Sequence, residues 1–247
     1  MLYHVDGIVL RTMDFKESDK IVTLFTRDQG KVAFVAKGVR KVKSKYGAAC
    51  QLFTHGEFSF YMNQQLGTLR HAEITHSFHE LRADLDRAAY AAYLNELIDW
   101  MTPEKTPDEA LFESFVRALD AIESGLHAAI VLHIFELKML QETGYAPQLQ
   151  QCVVCRADKG KFVLSAKAGG VVCANCTHAD PTAKPLAENI RRLLFTLQQI
   201  EVQQLGDVNL SEQTRLVLFH SLRYFIDYHI EHRWKSRTFL DQWLSLS

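Results

Sequence analysis

The sequence predicts an α+β protein: a small N-terminal β-barrel, then a helical domain interrupted by a four-cysteine knuckle. Three observations predict it. Five short β-type runs fall within the first eighty residues, the hydrophobic period changes to 3.6 near Leu81, and two C-x-x-C pairs stand seventeen residues apart. The expected division is residues 1–80 for the barrel and 81–247 for the helical domain, with the cysteine module at 150–178.

The β-type runs are Val5–Thr12, Ile21–Thr26, Lys31–Ala36, Glu57–Met62 and Thr68–Thr75. The fourth alternates, with Phe58, Phe60 and Met62 on one face and Glu57, Ser59 and Tyr61 on the other. Gly30 and Gly56 punctuate turns. Closing five short strands into a barrel removes exposed edges. An OB-type barrel has five strands; an SH3-like barrel competes, because strand count does not separate the two.

From Leu81 the residues Leu81, Leu85, Ala88, Ala89, Ala92, Leu97 and Met101 fall near one helical stripe. Thr106, Pro107 and Glu109 read as a capping box opening a second helix. A third, roughly Leu126–Glu142, is apolar on most sides and stops at Gly144. Pro185 is expected to open another helix through Gln199, and Asn209 with Glu212 to cap one running to about His232. Thr238–Leu246 suits a short terminal helix.

Cys152-x2-Cys155 and Cys173-x2-Cys176 flank a hairpin-like segment, with Phe162–Ser165 and Val171–Val172 on either side of Gly169-Gly170. Four thiolates complete a tetrahedral Zn²⁺ and leave no open position, so one structural zinc per chain is expected. The zinc can staple a segment too small to hold itself, or bring Lys159, Lys161 and Lys167 to a partner. Cys50 has no partner in sequence and reads as a buried small hydrophobe.

Charge is segregated. Residues 1–80 carry 11 Lys/Arg against 8 Asp/Glu, whereas residues 81–150 carry 5 against 12. Lys31, Lys37, Arg40, Lys41, Lys43 and Lys45 lie between Gln29 and Gly56 with no acid among them, mostly in the loop between the third and fourth strands. Tyr46 and Phe53 add ring faces to that loop. A positive groove with stacking aromatics on such a barrel fits single-strand or sequence-independent nucleic-acid binding. Arg191 and Arg192 can extend a phosphate track or pair with acidic helices.

Several chemistries lack their motifs. The sequence holds no G-x-x-x-x-G-K-[ST] loop, G-x-G-x-x-G turn, G-x-S-x-G elbow or H-E-x-x-H helix. A zinc-stabilised enzyme is therefore disfavoured and a non-enzyme expected. His229 and His232, one turn apart, could chelate a metal, although surface roles are commoner. The N-terminus lacks an uninterrupted signal-type core, and no apolar run approaches the ~20 residues of a membrane span, so a cytoplasmic protein without a membrane partner is expected. The remaining alternative is an adaptor whose basic loop binds acidic protein tails.

Two stretches carry a resemblance: Glu17–Ile21 (ESDKI) and Lys37–Lys45 (KGVRKVKSK), each within a strand–loop series that is similar to the N-terminal barrel of the bacterial RecO family. The helical middle, the cysteine insertion and the helical tail resemble that family as well. Some of its members lack the cysteines. A glycine often follows the second cysteine, where this chain has Arg156. The resemblance implies a nucleoid-associated DNA repair and recombination mediator. Such a protein binds single- and double-stranded DNA, anneals strands without ATP, and helps RecR (and RecF) load RecA onto DNA coated by single-strand-binding protein. It also implies contact with that protein's acidic, Phe-ended tail.

Overall fold

The computed structural model describes residues 1–63, 66–206, 208 and 210–244. Asn209 and Leu246, used in the sequence reading of helix ends, lie outside the described residues. The described chain forms two compact units, Met1–Ala128 with the C-terminal segment from Trp234, and Ala129–Arg233.

Five strands open the first unit: β1 (Leu2–Phe15), β2 (Asp19–Thr26), β3 (Gly30–Ala36), β4 (His55–Asn63) and β5 (Leu66–His76). They close as β1-β2-β3-β5-β4, with β4 returning to β1 and β3 running parallel to β5. That order, which strand count could not supply, is the OB arrangement. Alternation directs Val5, Val9, Val22, Leu24, Val32, Phe34, Phe58 and Phe60 inward, where all are buried. Phe34 lies 5.8 Å from the Phe58 ring and 5.5 Å from that of Phe60, so aromatic packing fills the centre.

Three helices follow: α1 (His79–Ala83), α2 (Leu85–Met101) and α3 (Glu109–Glu123). The expected single helix from Leu81 is broken at Asp84, whose carboxylate accepts from the Arg87 amide and caps α2. The stripe is also broader than expected. Leu85 is exposed, whereas Tyr90, Tyr93, Leu94 and Ile98 are buried. α3 is capped by Asp108, accepting from the Leu111 amide at 2.9 Å, and not by Thr106. The physical reason is that Asp is a stronger cap than Thr.

Asn95 ties α2 to the barrel. β1 bulges between Val9 and Arg11, and the buried Asn95 Nδ2 donates to the carbonyls of Val9 (3.3 Å) and Leu10 (2.8 Å). Asn95→Ala is expected to destabilise this unit by about 1–3 kcal/mol, because a buried acceptor loses its donor. Urea unfolding of the two proteins checks this, and equal midpoints would reject it. On the same unit Arg27 joins Asp6, Glu109 and Glu113. Burial of the Asp6 carboxyl opposes its ionisation, but His55 and Arg27 hold its pKa below the ordinary value. The chain returns to this unit with α7 (Lys235–Leu244), whose first amides donate to the Glu96 carboxylate.

The second unit centres on α4 (Ala128–Glu142), buried from Ile130 to Leu137 as its all-round apolarity requires. A three-stranded sheet follows, ordered β7-β6-β8: β6 (Phe162–Ser165), β7 (Gly170–Cys173) and β8 (Lys184–Leu186). Pro185 therefore stands in an edge strand opposite Val163 rather than starting a helix, a place where a missing N–H is tolerated. α5 (Glu188–Gln199) and α6 (Glu212–His229) complete the unit. Ser211 caps α6 by accepting from the Thr214 amide. α6 ends at His229, so His232 does not share its last turn, and the His229 ring stacks on Tyr145 at 5.0 Å.

Candidate nucleic-acid interface and metal centre

The basic loop between β3 and β4 is a chain of tight turns. Gly38, at φ +64, donates its amide to Asp19 Oδ1 at 2.7 Å, and the Arg40 amide donates to the Ser18 carbonyl at 3.0 Å. Further turns close from Lys41 to Gly38, Ser44 to Lys41, Cys50 to Tyr46 and Gln51 to Ala48. Val39, Ala49 and Cys50 on its underside join the barrel core. The loop is thus a folded cap with a dry inner side. Burial pushes the Cys50 thiol up to about 12, as fits a small hydrophobe.

The outer side carries the charge. Lys37, Lys41, Lys43 and Lys45 are exposed, and none has an ion-pair partner among the described residues. Arg40 is exposed but leans on Asp14 at 3.2 Å and on the Glu17 carbonyl at 3.3 Å. That pair is open to water and holds the guanidinium weakly. Tyr46 is half-buried; its hydroxyl donates to the Arg70 carbonyl at 2.8 Å, and Lys45 Nζ lies 5.2 Å from its ring. The loop therefore offers four free cations, one weakly held guanidinium and part of one ring.

Three expected contacts are lost. Lys31 sits on β3 with its side chain 5% exposed, donating to the Asp99 carbonyl and paired with Asp99 and with Glu104 at 3.3 Å. Desolvating an ammonium requires such partners, so its charge is spent inside the fold. Phe53 is 3% exposed and has no ring face to offer. Arg191 is likewise structural: it pairs with Glu188 at 2.8 Å, donates to the Leu149 carbonyl at 2.6 Å and packs over Phe162. Hydrogen bonds from Arg191, then Arg192, lower the Glu188 pKa to about 2. Arg192 shares that carboxylate but remains exposed. Sequence reading missed the anchors Ser18 and Asp19, because acceptors that fix a loop from a neighbouring turn leave no pattern in the loop itself.

The four cysteines of the second unit converge. Their sulfurs lie within 4.8 Å of one another, with Cys155 and Cys173 3.6 Å apart. Metal–sulfur bonds of about 2.3 Å in a tetrahedron put sulfurs about 3.8 Å apart, so the spacing suits one ion. Cys152, Cys173 and Cys176 are buried and Cys155 is exposed, all as free thiols. The Cys173 amide donates to Cys152 Sγ at 3.3 Å. Burial opposes ionisation of Cys152, yet the amides of Cys155, Cys173 and Val154 outweigh it and bring the thiol to about 6. Cys176 is pushed up to about 12 by burial and by hydrogen bonding with the other thiols. Four thiolates in one place need a cation to coexist, and a dication would supply it. Arg156 holds the left-handed turn after the first pair at φ +61, the conformation in which glycine carries no Cβ penalty. Lys159, Lys161 and Lys167 are exposed around the knuckle.

Among the described residues no helix is long and apolar enough to cross a membrane. Residues 1–78 match the family model "Recombination protein O N terminal", and residues 82–238 match "Recombination protein O C terminal". Among curated proteins, the DNA repair protein RecO of Bacillus pumilus is 39% identical over 246 residues, covering 100% of this chain and 96% of that protein. Its counterpart in Halalkalibacterium halodurans is 37% identical over 242 residues, covering 98% and 95% respectively. That of Bacillus subtilis is 37% identical over 246 residues, covering 100% and 96%. With the barrel, the helical remainder and both family models agreeing along the chain, the protein belongs to the recombination protein O family.

Proposed function

We propose that this chain is a non-catalytic DNA-repair mediator that binds single- and double-stranded DNA through the β3–β4 loop and anneals complementary strands without nucleotide hydrolysis. The family and the names of the relatives support a role in repair. The observation that carries the DNA contact is the outer side of the loop, where Lys37, Lys41, Lys43 and Lys45 are exposed without carboxylate partners among the described residues. Neutralising phosphates there would let two strands approach against their mutual repulsion, a step that needs charge and not ATP. Arg40 would exchange Asp14 for a phosphate, and Tyr46 and Arg192 would add weaker contacts.

In this reading the segment 1–80 is the DNA-binding domain and 81–247 the helical domain. Cys152, Cys155, Cys173 and Cys176 would hold one structural Zn²⁺, whose four thiolate ligands leave no position for chemistry. RecR, RecF and the acidic tail of single-strand-binding protein are the expected partners, and RecA loading on the bacterial nucleoid the expected setting.

The test replaces Lys37, Lys41, Lys43 and Lys45 together by glutamine and titrates a single-stranded oligonucleotide at several salt concentrations. If all four contact phosphate, the salt slope should fall by about 2.8, at about 0.7 for each contact. Unchanged affinity and slope would refute the assignment. A variant that still binds DNA but no longer binds an acidic peptide would replace it with the adaptor reading.

A further inference from the structure

We propose that Tyr61 and Arg70 form a stacking platform for the unpaired bases of single-stranded DNA on the outer face of the barrel, continuous with the cationic loop. The inference rests on the DNA-binding reading of that loop and adds what the loop lacks, a surface that distinguishes bases from backbone.

Alternation along β4 turns Phe58 and Phe60 into the core and Glu57, Ser59 and Tyr61 outward. Tyr61 is 47% exposed. The Arg70 guanidinium of β5 lies 4.9 Å from the Tyr61 ring centroid. Arg70 has no carboxylate partner among the described residues, so its charge is offset only by the ring's negative face. Leu2 of β1 is in register with Tyr61 on the other side and is also exposed. The platform is therefore a cation–ring pair with an apolar flank, held on paired strands.

It is also joined to the loop. The Tyr46 hydroxyl donates to the Arg70 carbonyl, and the Tyr46 ring meets His71 edge-on at 6.2 Å. Lys45 stands over Tyr46 as Arg70 stands over Tyr61. Cations and rings thus alternate from the loop across β5 to β4, the composition that tracks a strand while stacking its bases. Charge limits the track at its other end, where Glu57 and Glu73 face each other across β4 and β5, both exposed. A phosphate chain is repelled there and attracted at Arg70. In a duplex the bases are already stacked and paired, so an exposed ring pair selects unpaired bases.

The experiment compares a dT oligonucleotide with an abasic oligonucleotide of equal length, using the full chain and its Tyr61→Ala and Tyr61→Phe variants, with thermal melts to confirm folding. Stacking of one base should make Tyr61→Ala bind dT about fivefold more weakly or worse. Its abasic affinity and salt slope should stay at wild-type values, and Tyr61→Phe should keep the preference for dT. A dT-to-abasic ratio unchanged in Tyr61→Ala would overturn the platform. The glutamine loop variant, run in parallel, reports on the loop alone through its salt slope, so failure of the platform and failure of the loop are told apart.

Discussion

Cys173→Ser is expected to lower the melting temperature of the second unit by about 10 °C or more, and a strong chelator should do the same to the unaltered chain. Four cysteine sulfurs within 4.8 Å of one another, most of them buried, are stable together only if something compensates their charge. Structural zinc sites contribute apparent binding free energies of about 10–16 kcal/mol in zinc-finger peptides. Losing even several kcal/mol of that moves the transition of a unit the size of Ala129–Arg233 by roughly 4–8 °C per kcal/mol. Cys173 is the informative position, since it is buried, ends β7, and its amide also donates to Cys152. Elemental analysis should find one zinc per chain, lost in the variant. Oligonucleotide affinity should persist after chelation, because the cationic loop belongs to the other compact unit. A chelated protein that melts normally would exclude the staple; one that melts normally but no longer binds DNA would make the knuckle a contact surface.

Phe34→Ala should cost about 3–5 kcal/mol, the range for emptying a fully buried aromatic site. Phe34 has no exposed surface and packs on both Phe58 and Phe60 of β4, so β3 and β4 lose two ring contacts at once. The expected drop in melting temperature is about 6–20 °C. Recovery by collapse is restricted on one side: a Cβ at Gly67 would already lie 3.0 Å from Phe34 Cβ and 2.7 Å from Phe60 Cδ2, so the β3–β5 crossing is tight before any change. Phe34→Leu should lose less, about 1–2 kcal/mol, because most of the volume is kept. Calorimetry on the three proteins decides the matter, and a Phe34→Ala transition within 2 °C of the unaltered one, below the lower end of that range, would mean that the barrel core is not organised around this ring.

Several features were readable from residue order alone because their causes are local. All five barrel strands were found, since alternation such as Phe58-Ser59-Phe60-Tyr61 reports two faces directly. The convergence of the four cysteines needed only spacing. α4 was legible because a helix apolar on all sides must be buried. Boundaries were less secure: Asp84 and Asp108 displaced the expected helix starts, and Pro185 entered a strand whose partner, β6, lies about twenty residues earlier.

Composition and periodicity, acting over a few residues, determined that this chain makes a barrel, a helical remainder and a metal-type knuckle, and that its positive charge collects near residue 40. They could not decide which charges stay available. Lys31 and Lys37 look alike in sequence, yet one is neutralised by Asp99 and Glu104, about seventy residues away, while the other faces water. Nor could they show that Tyr61 and Arg70, on separate strands, meet as a pair. Only the closed register of the strands brings such distant groups within reach, because electrostatic and stacking energies depend on separation in space and not along the chain.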